Sequence, residues 1–506
     1  MRFKLCFNSL LGYKTQRHSC RYLTCALSLF TSFSHANDHA AKTVIETAPL
    51  NYTFAPACEA IAAQGPMLLA IQQQLQQHPE QRQKILNQFW RLVQQRGTPL
   101  IEPLNATSSR VTFLWRGATH NVRLVSGPSH DHEWLTRLTG SDIWFKELIV
   151  ENQFIGGYLF AVDIANLDGY LSAPCPQLDP KRVESRPQRL ALLNALQLDP
   201  HNPELYLSDE ELADNRHSNI KFRNENLLLL PDIPAFTNPD DFPNHATPQL
   251  KSYQLDSKIL GTSRLIQIYQ SQKTKADQDY ITAIFFDGQH YAELLQVAKA
   301  LDLLVTQGQL PAIQVIFVSH PSAEQRAQEL TPNPTYTDFF AQELLPSIDQ
   351  HLAKLGQPRQ TDKTVLLGSS LGGLSAAYLA LQFPQQISHV VPMSGSFWWK
   401  NHPQDSPNGI SHMIRQSKSR TNFPQHWYIS ANSYEYSTNE SLSIWETAPI
   451  VAQDLTQQGH DVRYKAYIGG HSYALWQIVL QDALLHFFAE KNAQPKTETS
   501  KKFKQQ

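Results

Sequence analysis

The sequence predicts an α/β protein in which a mostly parallel sheet, covered by helices on both faces, follows a smaller antiparallel β-sandwich. Three observations carry this. After Ser257, apolar β-rich runs (RLIQIY, YITAIFF, IQVIFV, TVLLG, HVVPMSG, HWYISA and VRYKAYIGG) alternate with helix-length amphipathic segments, the rhythm of strands joined by crossover helices. From Val111 to about Val162 the runs VTFLWRG, NVRLV, DIWFKELIV and GGYLFAVD are short and split by Gly, Pro, Ser and Asp, as in a small sandwich. At 506 residues the chain also exceeds one ordinary core.

Taken in order, residues 1–36 hold five basic side chains (Arg2, Lys4, Lys14, Arg17, Arg21) and no acidic one, then run through LTCALSLF to Ser34-His35-Ala36. A basic start, a short apolar stretch and a small-residue site read as a secretory signal cut after Ala36. The alternatives are an unstructured extension or a start codon placed too early. Export to the periplasm or beyond is therefore expected, and a cytoplasmic location if the segment is not a signal. Without it 38 basic side chains face 45 acidic ones, a balance of −7 against −2 for the whole chain. Such a chain has no general electrostatic reason to bind nucleic acid, and an anionic ligand would need a locally basic pocket. With 41% hydrophobic and 17% charged residues, and no apolar run of spanning length, an integral membrane protein is excluded. Cys6, Cys20 and Cys25 leave with the signal, so Cys58 and Cys175 allow one disulfide. No Cys/His cluster has zinc spacing, and no metal or other cofactor is expected.

Residues 37–99 form a helical segment. Within it 67–96 show helical periodicity, with Ile85, Phe89, Leu92 and Val93 on one face, Gly97 as a stop and Pro79 dividing two helices. The β-domain follows at 100–220. Residues 199–250, with DPHNP, LLPDIPAF and FTNPDDFPNHATP, are rich in proline and asparagine, which places the interdomain connection there and a linker at 221–256. The α/β domain then runs over 257–490, and 491–506 are a polar tail.

Within the α/β domain, Gly368-Ser369-Ser370-Leu371-Gly372 fits G-x-S-x-G between the strand TVLL and the helix LSAAYLALQF. That is the setting of a nucleophile elbow, where a tight turn holds the central serine strained and exposed. Ser370 is the candidate nucleophile; the bland reading is a helix cap. A serine hydroxyl needs a base. His471 follows Gly469-Gly470 at the end of the last strand and precedes the final helix, the position at which this topology puts its histidine. The acid belongs after HWYISA, where Glu435, Glu440 and Glu446 stay open. An oxyanion hole would use the Leu371 backbone N–H and a second one from the Asp287-Gly288-Gln289 turn, for which Gln289 is the candidate. Arg326 and Glu329 stand at another strand end, either as an ion pair or with Arg326 meeting an anionic substrate.

The stretches GSSLGGLSAAYLALQFP, PMSGSFWW, FFDGQHY, RAQELTPN, FFAQELLPSI and GGHSYALW, with GTPLIEP, VTFLWRG, LTRLTGSDIWFKE and LQLDPHNP upstream, resemble the enterochelin (ferric enterobactin) esterases over roughly residues 85–490. The resemblance implies an immunoglobulin-like β-sandwich ahead of an α/β-hydrolase domain. It implies hydrolysis of the ester (trilactone) bonds of catecholate siderophores, with iron present only as part of the substrate. By motif Ser370 resembles the nucleophile, His471 the base, and Glu435 falls where the family has its glutamate. Trp398 and Trp399 offer flat surfaces for catechol rings, or are core residues. Where the family follows its histidine with aspartate and closes that motif in Trp-Arg, this chain has Ser472 and Gln477.

Two other classes share these features. A general exported serine esterase or acyltransferase acting on carbohydrate or aryl esters would use the same triad with a different pocket. A non-enzymatic siderophore-binding protein would not need Ser370 and His471 in their topological positions.

Overall fold

The computed structural model describes residues 53–54, 63–129, 133–167, 185–206, 225–272, 279–402, 405, 408–416, 422–435 and 442–489. The expected signal, the polar tail, Cys58, Cys175 and Glu440 lie outside the described residues. Two helices, α1 (Pro66–Gln77) and α2 (Arg82–Arg96), open this part, and a short turn at Pro79–Gln81 separates them. Gly97 ends α2 with φ +79°, a left-handed value that favours glycine. Ile85, Phe89 and Val93 are buried, and Leu92 is half-buried.

The β-domain is a pair of antiparallel sheets, as the short alternating runs predict. Strands β1 (Leu100–Pro103), β2 (Ser108–Arg116), β5 (Thr136–Arg137) and β6 (Ile143–Glu151) form a four-stranded sheet in the order β1-β2-β6-β5. The second sheet has the order β9-β10-β7-β3-β4, built from β3 (Val122–Ser126), β4 (Glu133–Trp134), β7 (Ile155–Val162), β9 (Leu205–Tyr206) and β10 (Glu225–Leu229). The short β8 (Leu196–Gln197) also pairs with β7. Side chains alternate along β2. Val111, Phe113 and Trp115 enter the sandwich core, while Leu114 joins α1 and α2 in a separate cluster on the outer face.

The stretch drawn as a linker at 221–256 contains strands at both of its ends. β10 pairs with β7, and Lys251–Asp256, here β11, is the first strand of the next sheet. The run Asn226-Leu-Leu-Leu-Leu carries leucines on both faces, buried on one and half-buried on the other, so it has no polar alternation to set it apart from its proline-rich surroundings. Leu228 packs in the sandwich while Leu227 and Leu229 pack on the core of the second domain, so the six-stranded sheet lies between the two domains. The DPHNP turn belongs to the β-domain as well. The Asp199 N–H donates to Asn226 Oδ1 at 2.6 Å, and Asn202 Nδ2 donates to the Leu227 carbonyl at 3.0 Å.

The α/β domain has eight strands in the order β11-β12-β14-β13-β15-β16-β17-β18. After β11 these are β12 (Ser263–Gln270), β13 (Ile281–Phe286), β14 (Ile313–Val318), β15 (Thr364–Ser369), β16 (His389–Met393), β17 (His426–Asn432) and β18 (Asp461–Tyr467). The first two strands are antiparallel additions, and every pair from β14–β13 onward is parallel. Ile284 and Phe286 face one hydrophobic layer and Ala283 and Phe285 the other. The first layer is closed by α4 (Pro334–Phe339), α5 (Leu345–Lys354), α6 (Leu371–Gln382) and α7 (Ile444–Gln457), the second by α3 (Val297–Thr306) and α8 (Tyr473–Phe488). Such a sheet presents its carboxyl strand ends as a rim, and the candidate residues lie there.

Candidate active site

At the end of β15 the backbone turns so tightly that Ser370 takes φ +56° and ψ −121° before α6 begins at Leu371. A Cβ on Gly368 would sit 2.4 Å from the Gly372 carbonyl, so no side chain is admitted there. The strain in Ser370 is held by hydrogen bonds: its N–H donates to the Met393 carbonyl at 3.1 Å, and its own carbonyl accepts from Ser396 N–H at 2.9 Å. The Ser370 Oγ is 3.3 Å from the Ser396 hydroxyl.

His471 stands between β18 and α8, and its Nδ1 is 2.7 Å from Glu435 Oε1. The carboxylate fixes the proton on Nδ1, which makes Nε2 the basic nitrogen. The other Glu435 oxygen accepts the Asn432 N–H at 2.8 Å, so both oxygens of this buried carboxylate are used. The Trp476 ring stands edge-on to the imidazole, with centroids 4.8 Å apart. Of the other two glutamates, Glu446 is spent in a capping box with Ser443 at the start of α7, and Glu440 lies outside the described residues.

Sequence reasoning missed the residues that connect these parts. Ser394, with φ +46°, ends β16 and donates its N–H to the Ser430 carbonyl at 3.1 Å. Its hydroxyl accepts from Asn432 Nδ2 at 3.0 Å and from Trp476 Nε1 at 2.9 Å, and Asn432 Nδ2 reaches the Gly470 carbonyl at 2.8 Å. Hydrogen bonds and the peptide links Met393–Ser394 and Gly470–His471 thus connect the elbow through Ser394 and Asn432 to Glu435 and to the segment that carries His471. Their only trace in the sequence is the motif PMSGSFWW, which by itself assigns no role to Ser394 or Ser396.

Leu371 and Gln289 sit in the first turn of their helical segments, where a backbone N–H has no carbonyl of its own helix to bond. β13 and β15 are parallel neighbours, and a Cβ on Gly372 would lie 2.9 Å from Asp287 Oδ2 and 3.5 Å from Phe286 Cβ, so the two donor turns touch. The Gln289 side chain is fully buried, with its Oε1 3.4 Å from the His320 N–H.

Arg326, offered as a cation for an anionic substrate or as half of an ion pair, is paired within the protein. Its Nε and Nη2 form a two-pronged pair with Asp287 at 2.5 and 2.7 Å, and Asp287 is fully buried. The charge is therefore balanced within the protein. Glu329 pairs instead with Arg264, whose guanidinium lies 4.8 Å from the Phe339 ring centre. Between the two pairs stands buried His320, 3.6 Å from Asp287 and 3.5 Å from Glu329. Burial pushes the Asp287 carboxyl up, but Arg326 overcomes this and holds it below the usual carboxylate range. Glu329 is also lowered, burial being outweighed by His320 and Arg264. His290, stacked on Tyr473 with centroids 4.9 Å apart, is pushed down to about 4, first by burial.

Trp398 and Trp399 are both half-buried against the core layer beneath α6 and α7, and the Trp399 ring fills the space where a Cβ on Gly409 would lie. Among the described residues no group of three or more His, Cys, Asp or Glu could hold a metal ion, and no helix is long and apolar enough to cross a membrane.

Two family descriptions match the chain in tandem: enterochelin esterase, N-terminal, over residues 110–222, and putative esterase over residues 257–487. The iron(III) enterobactin esterase of Dickeya dadantii is 26% identical, the match covering 77% of this chain and 90% of that one. The iron(III) salmochelin esterase of Escherichia coli is 25% identical over 81% of this chain and 98% of its own. Among solved structures, the Shigella flexneri enterobactin esterase in the presence of 2,3-dihydroxy-N-benzoyl-serine superposes with a TM-score of 0.60 at 25% identity, covering 79% of this chain and 97% of that one.

Proposed function

We propose that this chain, which belongs to the enterochelin esterase family and is an esterase, uses serine chemistry to open the ester bonds of a catecholate siderophore trilactone, with ferric enterobactin as the type substrate. The observation that carries this reading is the strained Ser370 on the same rim as a His471–Glu435 pair, behind a β-domain of the enterochelin esterase type. Ser370 Oγ attacks a lactone carbonyl while His471 Nε2 takes its proton. The carbonyl oxygen becomes an oxyanion that accepts hydrogen bonds from the Leu371 and Gln289 backbone N–H groups. The intermediate collapses with cleavage of the ester C–O bond, and the leaving serine hydroxyl of the substrate receives the proton from His471. Water then repeats the sequence on the acyl-enzyme and frees the acid, so each ester consumes one water.

The compartment belongs to the same proposal. The basic residues in 1–36 and the small-residue site after them support hydrolysis outside the cytoplasm, with opening of the trilactone loosening its hold on iron. The test is incubation of purified protein with the ferric trilactone, followed by mass analysis. Products heavier by one water per ester cleaved are expected. Cleavage of small neutral or carbohydrate esters with the trilactone left intact would favour a general esterase, and binding without any cleavage a carrier.

A further inference from the structure

The β-domain meets the catalytic domain at the two loops that carry the acid and the base. The turn between β6 and β7 is the point of contact. Ile155 forms a parallel bridge with Gly469, two residues before His471. A Cβ at Gly469 would lie 2.7 Å from the Ile155 carbonyl and 2.6 Å from Leu475 Cδ2, so only glycine lets these backbones approach. The neighbouring Phe154 is fully buried and meets the ring of Tyr434, the residue before Glu435, edge-on at a centroid distance of 5.3 Å. The Tyr434 hydroxyl donates to Glu151 at 3.0 Å, and its N–H donates to the Gly469 carbonyl at 3.0 Å. Tyr434 and Ile468 pack on the sandwich core, Ile155 packs in the hydrolase core, and α8, which begins two residues after His471, rests on β7.

We propose that the Glu151–Ile155 turn of the β-domain positions the Glu435–His471 pair, acting through Tyr434 and Gly469. The β-domain then supports turnover of any ester, including one too small to touch it. Both contacted segments, Ser433–Glu435 and Ile468–Ser472, lie outside strands and helices, so regular hydrogen bonding does not hold them. Tyr434 bridges them by its own N–H while its ring is anchored in the other domain. Loss of the anchor frees the acid loop relative to the base, and a misplacement on the order of 1 Å in such a pair lowers rates by about a hundredfold.

The proposal rests on the serine-esterase reading, and the experiment separates the two. The full chain and the variants Tyr434→Ala, Phe154→Ala, Tyr434→Phe and Ile149→Ala are assayed on p-nitrophenyl acetate and on the ferric trilactone, with fluorophosphonate labelling rates and Tm alongside. Tyr434→Ala and Phe154→Ala should lower kcat on the acetate roughly ten- to hundredfold, with KM little changed, and should slow labelling by the same factor. Tyr434→Phe keeps the ring contact and should retain most of the rate, and exposed Ile149→Ala should match the wild type. If both alanine variants keep the wild-type kcat on the acetate and lose only KM on the trilactone, the turn is a substrate wall and the proposal fails. A loss in Tyr434→Phe as large as in Tyr434→Ala also overturns it. Should the alanine variants not fold, Phe154→Leu carries the same comparison: a kcat-only loss supports the proposal and an unchanged kcat refutes it. Wild-type protein inactive on both esters would sink the functional reading instead.

Discussion

Ser370 is held entirely from within its own sheet, by Gly368 closing on Gly372 and by hydrogen bonds to Met393 and Ser396, whereas Glu435 and His471 ride on loops braced by a different domain through Tyr434 and Gly469. The proposed nucleophile Ser370 and the neighbouring Asp287–Gln289 turn gain their geometry from backbone strain and from the pairing of buried Asp287 with half-buried Arg326. The proposed acid and base, Glu435 and His471, have Ser394 and Asn432 on one side and the β-sandwich on the other. Local geometry of the first kind leaves a contiguous motif in the sequence, and non-local geometry of the second kind does not.

The sharpest separation of the two regions is removal of the reacting groups themselves. Ser370→Ala and His471→Ala should each lower kcat/KM at least about a thousandfold with Tm unchanged, because the two act as a unit. Turnover by Ser370→Ala near the wild-type rate would remove the elbow from the mechanism. Glu435→Ala should be roughly ten- to hundredfold less severe, since the carboxylate orients and stabilises the imidazole without taking a proton. A Glu435→Ala loss equal to that of His471→Ala would show that the acid loop does more than orient.

This contrast is also visible in what could be read beforehand. The strand–turn–helix around Ser370 and the Gly-Gly-His before the last helix are contiguous, so G-x-S-x-G and chain order suffice to single out both. Glu435 could not be separated from Glu440 and Glu446 by position. Ser443-Ile-Trp-Glu446 is a capping-box spacing, and reading it as one would have removed Glu446. Ser394 and Asn432 were out of reach, because they matter through partners 38 or more residues away. The strand Glu225–Leu229 has no polar alternation to reveal it, because leucines occupy both of its faces, one buried and one half-buried. The partner of Arg326 is not legible either, because Asp287 sits 39 residues upstream while Glu329 is the nearer carboxylate.

Asp287 and Arg326 belong to the self-contained side of the comparison. Arg326→Ala leaves a buried carboxylate without its partner and should lower stability by about 3 kcal/mol. In the fraction that folds it should lower turnover of p-nitrophenyl acetate and of the trilactone by equal factors. A loss confined to the anionic trilactone would return Arg326 to substrate binding.

The smallest expected effect is on acid stability. Asp287 and Glu329 have lowered folded-state values, so what they contribute is complete above their ordinary values of 3.8 and 4.5 and is lost as the pH falls through the lower folded values. Buried His290 acts earlier. Between its ordinary 6.5 and about 4 the unfolded chain takes up a proton that the folded chain does not, so stability declines as the pH falls across that interval. Thermal melts should show Tm falling in two stages, and His290→Phe should diminish the first, to which His389 and His460, lowered to about 3 and about 4 by burial, also contribute. A Tm that stays flat between those values would contradict the assigned burial.

The most direct measurement is a peptide map after brief exposure of the full-length protein to a fluorophosphonate, in parallel with His471→Ala and Tyr434→Ala. The account predicts a single adduct on Ser370, almost none in His471→Ala, and a slowed but identical adduct in Tyr434→Ala. An adduct on another serine, or labelling of Ser370 at the wild-type rate without His471, would contradict it.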